Sequence, residues 1–183
     1  MKDLKNISDI EKIERLENEY DLQKAVLLER KLRLMIEENP ELVPLRKKLR
    51  DLIKDYESRE WSDFENIPES KFEELEKAES LINQEQKFIK KRKETIRKKL
   101  KEFDLTQQEL GVLLGHPKSY MSELINGVSQ FTMKDLIIIH RIFEINLNAL
   151  IPTYLQSETR EKVRESIRKL NKPKLKLRKS ELA

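Results

Sequence analysis

Three glycines serve the whole chain of 183 residues, and all of them, Gly111, Gly115 and Gly127, fall between positions 111 and 127. Glycine supplies the left-handed backbone and the close approaches that sharp reversals need. Demanding backbone geometry is therefore concentrated in one short region, and the remainder must be built from elements that do without it. Between Lys71 and Phe103 there is neither Gly nor Pro. Long helices meet these conditions, and a composition of 39% charged and 6% aromatic residues argues against a sheet protein with a large apolar interior. The length allows one or two domains with a real core. The expected fold class is all-α.

Several functions are excluded at this level. The chain has no Cys, which removes disulfides, thiolate catalysis and Cys-ligated metal sites. With only His116 and His140 available, a histidine-rich metal site is not expected either. No Gly-rich phosphate loop, nucleophile elbow or carboxylate pair beside a histidine is present, so no catalytic residues, cofactor or metal ligands are assigned and no enzyme is expected. No apolar run approaches the ~20 residues of a membrane span. Met1-Lys2-Asp3-Leu4 lacks a signal-peptide layout. A cytoplasmic protein that does not engage membranes is the expectation.

Charge divides the chain. Residues 1–88 carry 17 Lys+Arg and 23 Asp+Glu, a net of −6, whereas residues 89–183 carry 21 and 11, a net of +10. The basic half suits a polyanion, although charged helix faces alone would produce part of this pattern. Eight cations between residues 90 and 101, including Lys90, Lys91, Arg92 and Lys93, are opposed by Glu94 alone.

Periodicity supplies the elements. Leu22, Ala25, Val26, Leu32, Met35 and Ile36 fall near one helical face that ends at Asn39-Pro40. Pro44 suits the first turn of a second helix, whose stripe is Leu45, Leu49, Leu52, Ile53 and Tyr56. The pair forms a helical hairpin, with Trp61 and Phe64 read as packing residues. Leu75, Ile82, Ile89, Ile96 and Phe103 recur every seven residues, which suggests one long connecting helix with a narrow seam. Asn83 is the candidate point of a break. The domains expected are 1–70, a helical region; 71–103, the connecting helix with its basic cluster; 104–152, a compact unit; and 153–183, a charged helix from Ser157 followed by a basic tail.

In the compact unit, Thr106-Gln107-Gln108-Glu109 is a capping box that opens a helix from Gln107 to Leu114. Gly115 is a natural left-handed stop. His116-Pro117 restarts the chain, with Pro117 at a first helical position, and a second short helix runs to about Ile125 before Asn126-Gly127. Thr132 then caps an apolar helix holding Met133, Leu136, Ile137, Ile139, Ile142 and Phe143, and Asn146 caps a last turn before Pro152. Two short helices joined by a glycine turn form a helix-turn-helix, whose second helix enters the DNA major groove. Residues 104–152 carry 3 Lys+Arg against 5 Asp+Glu, so attraction to phosphate must come from the flanking clusters.

The segment from Leu105 to Pro152 resembles the Cro/repressor-type (XRE family) helix-turn-helix. The resemblance rests on Leu105-Thr106-Gln107-Gln108-Glu109-Leu110, Leu114-Gly115, Ser119-Tyr120-Met121-Ser122, Asn126-Gly127 and Asn148-Ala149-Leu150-Ile151. It implies a lambda-repressor-like domain in which Gly111 lets two helices cross closely. With the second helix starting at Pro117, Lys118, Ser119, Ser122 and Glu123 share one face, and the resemblance places base-reading positions on them. Tyr120 and Asn126 flank that face, and Gln107 opens the preceding helix where its N–H can meet phosphate. His116 borders the same turn and is expected near phosphate. His140 is read as a packed or surface helix residue.

The order of the parts narrows the resemblance. Tyr20, Asn39-Pro40-Glu41 and Tyr56-Glu57-Ser58 precede a basic helix with Ile96-Arg97 and then Leu105-Thr106. Over roughly residues 20–152 this is similar to the HigA-type antitoxins of bacterial toxin–antitoxin pairs. That likeness implies a homodimer that binds double-stranded operator DNA, represses its own operon, and neutralises a HigB-type mRNA-cleaving toxin. The N-terminal acidic half, residues 1–88, is the expected toxin-binding part. A stand-alone helix-turn-helix repressor, or a protein-interaction module without DNA binding, are the alternatives. The tail Lys172-Pro173-Lys174-Leu175-Lys176-Leu177-Arg178-Lys179 reads either as an arm for DNA or a partner, or as a plain basic tail.

Overall fold

The computed structural model describes residues 7–63, 66–153, 155, 157–172 and 174–177. Among them the regular structure is entirely helical, as the sequence requires: α1 (Ile7–Ile10), α2 (Glu19–Met35), a 3-10 turn (Pro40–Leu42), α3 (Val43–Glu60), α4 (Glu69–Glu102), α5 (Gln107–Leu114), α6 (Lys118–Asn126), α7 (Met133–Phe143), α8 (Leu147–Leu150) and α9 (Ser157–Leu170). The protein is all-α and carries a helix-turn-helix domain in its C-terminal half.

The N-terminal hairpin forms because two stripes face each other. Asn18 caps α2 by accepting from the Asp21 N–H at 2.9 Å, which satisfies one of the helix's unpaired donors. Leu22, Ala25, Leu28, Leu32 and Met35 then recur at intervals of three or four, and all are buried. Asn39 ends the run by donating from its side chain to the Met35 carbonyl. Pro44 lies in the first turn of α3, which buries Leu49, Leu52 and Tyr56 against α2. Each such aliphatic side chain contributes roughly 1.5–3 kcal/mol on leaving water. The short α1 and the 3-10 turn were not legible in the periodicity; Ile10 of α1 is nevertheless fully buried.

A buried polar cluster ties the hairpin to α4. The Glu19 side chain is fully buried, and its Oε1 accepts from the Tyr56 hydroxyl at 3.0 Å and the Trp61 indole at 2.9 Å. The Lys71 ammonium stands 3.2 Å from the same oxygen and donates to Tyr56 and Glu60. Burial pushes the Tyr56 hydroxyl up to about 12. Burial opposes the Lys71 charge, but its bonds to Tyr56, Glu60 and Glu19 outweigh that and raise its pKa. Trp61 thus packs partly buried and meets Phe72 edge to face at 5.7 Å. Phe64 lies outside the described residues.

Helix α4 is continuous over 34 residues, beginning at Glu69 with no break at Asn83. The seven-residue repeat does not trace one seam. Ile82 and Ile96 are buried, whereas Leu75 and Ile89 are half-buried and Phe103 is 51% exposed. A straight helix drifts ~20° per heptad, so the stripe turns from one core to another. The N-terminal part of α4 lies along α2, while Ile96 and Leu100 enter a second core with Leu110, Met121, Leu124, Ile139, Phe143 and Leu150. Val128, after α6, reaches back into the N-terminal core. The helix expected from Ser157 is α9. Of the basic tail, Lys172 and residues 174–177 form no helix or strand, and Pro173, Arg178 and Lys179 lie outside the described residues.

Candidate nucleic-acid interface

The helix-turn-helix follows from local chemistry. The Glu109 N–H donates to Thr106 Oγ1 at 3.2 Å while the Thr106 N–H donates to Glu109 Oε2 at 2.8 Å, closing the capping box. These bonds lower the Glu109 pKa, the backbone bond from Thr106 most. Gly115 stops α5 at φ 77°, and the His116 N–H reaches back to the Gly111 carbonyl at 2.8 Å. A Cβ on Gly111 would meet both the His116 carbonyl oxygen and Met121 Cγ at 2.8 Å. The bare backbone there lets α5 and α6 cross. Pro117 occupies the N-cap with extended backbone (ψ 159°), so α6 begins one residue later than the sequence suggested. Proline carries no side-chain acceptor, and the cap makes no side-chain bond.

On α6, Met121, Leu124 and Ile125 are buried, and Lys118 and Ser119 are exposed on the opposite side of its first turn. Ser122 is half-buried and accepts from Asn126 Nδ2 at 3.3 Å. Asn126 Oδ1 accepts from the Lys93 ammonium at 2.6 Å, joining the end of α6 to the basic part of α4. Glu123 is turned toward the loop after α6, where its carboxylate accepts from the Ser129 hydroxyl at 2.7 Å. Burial, outweighing the Ser129 bond and reinforced by the charge of Glu41, raises its pKa. Tyr120 is half-buried with its ring 5.0 Å from His116, edge to face. Gln107 is half-buried at the start of α5. The seven sequence-selected residues therefore divide: Lys118 and Ser119 stand open, Ser122 and Asn126 bond each other, Glu123 is held by the loop, Tyr120 packs on His116, and Gln107 sits on the neighbouring helix.

Three expectations change. His116 donates from Nε2 to Asp135 Oδ1 at 3.0 Å, so its ring is engaged inside the domain rather than left for phosphate. Asp135, 2% exposed, also caps α7 by accepting from the Thr132 N–H; the Thr132-to-Asp135 spacing was a legible signal. Arg92 is 8% exposed, with its guanidinium 5.4 Å from the Phe88 ring and 5.1 Å from the Phe131 ring. It is therefore withdrawn from the phosphate-binding set, as is Lys93 while it holds Asn126. The exposed cations of the cluster are Lys90, Lys91, Arg97, Lys98 and Lys101, of which Lys90, Arg97 and Lys101 lie seven and four residues apart and so share a face. Met133, Ile137 and Ile142, expected in the apolar helix, are 59%, 42% and 36% exposed. His140 donates from Nδ1 to the Ile145 carbonyl.

Among the described residues no three of His, Cys, Asp and Glu come together in a way that could hold a metal ion, and no helix is long and apolar enough to cross a membrane. No curated protein and no solved structure matches the chain. A family model does: residues 96–150, from the last turns of α4 to the end of α8, match the helix-turn-helix family. The geometry of α5 and α6 and this match together make residues 96–150 a helix-turn-helix domain, the mark of a DNA-binding transcription regulator.

Proposed function

We propose that this regulator is the antitoxin of a type II toxin–antitoxin pair. It binds and silences a HigB-type mRNA-cleaving toxin through its N-terminal helices, and as a homodimer it represses its own operon through α6. The supporting observation is the division of labour along the chain. An acidic segment, with its own core around Leu32, Leu49 and Tyr56, precedes the DNA-binding domain and lies against it through α4. A toxin that cleaves mRNA must approach phosphate and is therefore basic, and an acidic surface complements it. Lys118 and Ser119 on α6 supply side chains for the groove, and the exposed cations of α4 supply phosphate contacts.

Co-expression of the full chain with the adjacent open reading frame tests the reading. Growth rescue with co-purification of a small basic protein is the expected result. Failure of both, with operator binding intact, would instead identify a stand-alone repressor. That second reading is favoured by a cavity between the two halves, lined by α2, α4 and the loop after α6.

A further inference from the structure

A cavity of about 190 Å³ lies where α2, α4 and the loop after α6 meet. That is the space of about six water molecules at liquid density, enough for a compact organic ion. Its lining includes three cations, Lys24, Lys31 and Arg92, against a single carboxylate, Glu85. Glu85 is already bound by the Tyr20 hydroxyl at 2.6 Å. The Lys31 ammonium donates to the Gly127 carbonyl at 3.0 Å, an acceptor that carries no charge. Burial, opposed by Glu85 but joined by Arg92, Lys93 and Lys24, brings its pKa down to about 8. The half-buried Lys31 ammonium thus has one carboxylate near it, Glu85, against three like charges, and that carboxylate already takes the Tyr20 hydroxyl.

A second, independent feature lies in the same wall. Gln86 lines the cavity, and its Nε2 is shut off from solvent with no acceptor. A buried donor without a partner costs about 1–3 kcal/mol. Donors from Lys31 and Gln86, a surplus of positive charge, and apolar walls from Ile89, Phe131 and Leu136 describe one kind of occupant. We propose that the cavity binds a small organic monocarboxylate with a compact apolar body, its two oxygens shared between Lys31 and Gln86.

The location makes occupancy consequential. Gly127 is the left-handed C-cap of α6, so Lys31 holds the end of the recognition helix by a carbonyl. A bound carboxylate competes for that ammonium and loosens the end of α6 at Gly127, while Val128 still anchors the following loop in the N-terminal core. Binding at the cavity is independent of the DNA-binding reading; its effect on DNA rests on that reading.

The test uses the full chain and sodium benzoate, butyrate and succinate as probes, with sodium chloride at matched ionic strength. Benzoate or butyrate should raise the Tm by about 5–10 °C at a hundredfold excess over Kd, and succinate should do less. Lys31→Met and Gln86→Leu, each checked for native helix content by circular dichroism, should both abolish the shift. Because Gln86→Leu only replaces an unpaired amide with an apolar group, it keeps the test valid if the lysine variant folds poorly. No shift beyond chloride with any probe overturns the proposal, as does a shift that survives in both variants. Fluorescence anisotropy on the promoter fragment is the second readout. A Tm shift with unchanged DNA affinity overturns the coupling to α6, whereas absence of DNA binding even without probe overturns the DNA reading and leaves the site standing.

Discussion

Lys31 makes the stability of this protein depend on pH in a window where few other groups act. Its pKa falls from 10.5 to about 8 on folding, mainly through burial. The folded state therefore binds fewer protons than the unfolded chain between pH 8 and 10.5, and stability must rise with pH across that interval. Below pH 8 both states are protonated and the full penalty of the buried charge is present. The gap of about 2.5 between folded and unfolded pKa sets a ceiling of roughly 3 kcal/mol, at about 1.36 kcal/mol per pKa unit. Residual exposure and relaxation reduce this to about 1–2 kcal/mol. Lys93, also lowered by burial, adds a slope of the same sign. Tyr56, pushed up to about 12, acts in the opposite direction and only above pH 10. The assay is urea unfolding by circular dichroism at pH 7, 8, 9 and 10, in borate and chloride without carboxylate buffers. Wild type should gain about 1–2 kcal/mol more than Lys31→Met between pH 7 and 10, since the variant has no charge to shed. Parallel pH profiles for the two proteins would refute the reasoning, because they would mean that Lys31 is fully solvated at the seam.

Gly111→Ala should lower stability by about 1–3 kcal/mol, because its Cβ meets a backbone carbonyl that cannot move without reopening the α5–α6 crossing; unchanged urea midpoints would show that the crossing is loose. Glu19→Ala should cost about 1–3 kcal/mol, since it removes the shared acceptor of the Tyr56 hydroxyl and the Trp61 indole and leaves Lys71 with Glu60 and Tyr56, and a loss under about 1 kcal/mol in the same unfolding assay would count against the cluster as a lock between the hairpin and α4. Replacing Lys90, Arg97 and Lys101 together by Gln should reduce the salt slope of DNA binding by about 0.9 for each phosphate no longer neutralised, while leaving sequence preference alone; anisotropy titrations from low to high salt decide this, and an unaltered slope would place that face away from DNA. Glu123→Gln should retain the bond to Ser129 and the operator preference, whereas Glu123→Ala should cost about 1 kcal/mol of stability by leaving the Ser129 hydroxyl without its buried acceptor. A changed base preference in Glu123→Gln would show instead that the carboxylate reads DNA.

The elements of the DNA-binding domain were legible because their signals are local. A capping box spans four residues, a left-handed stop needs one glycine, and a helical stripe repeats every turn; Thr106, Gly115 and the buried face of α6 carry these signals. The hairpin stripe of α2 and α3 was readable for the same reason. Local sequence does not record which neighbour a side chain meets across the fold. Arg92 and Lys90 sit two residues apart in one basic run, yet the first is buried between Phe88 and Phe131 and the second is exposed. His116 and Asp135 are separated by 19 residues, and Lys31 and Gly127 by 96. Glu123 faced the groove on helical spacing alone until the loop after α6 brought Ser129 to it. The tertiary structure decided the reach and the partners of these groups, because burial and hydrogen bonding depend on what surrounds a side chain in space and not on its place in the chain.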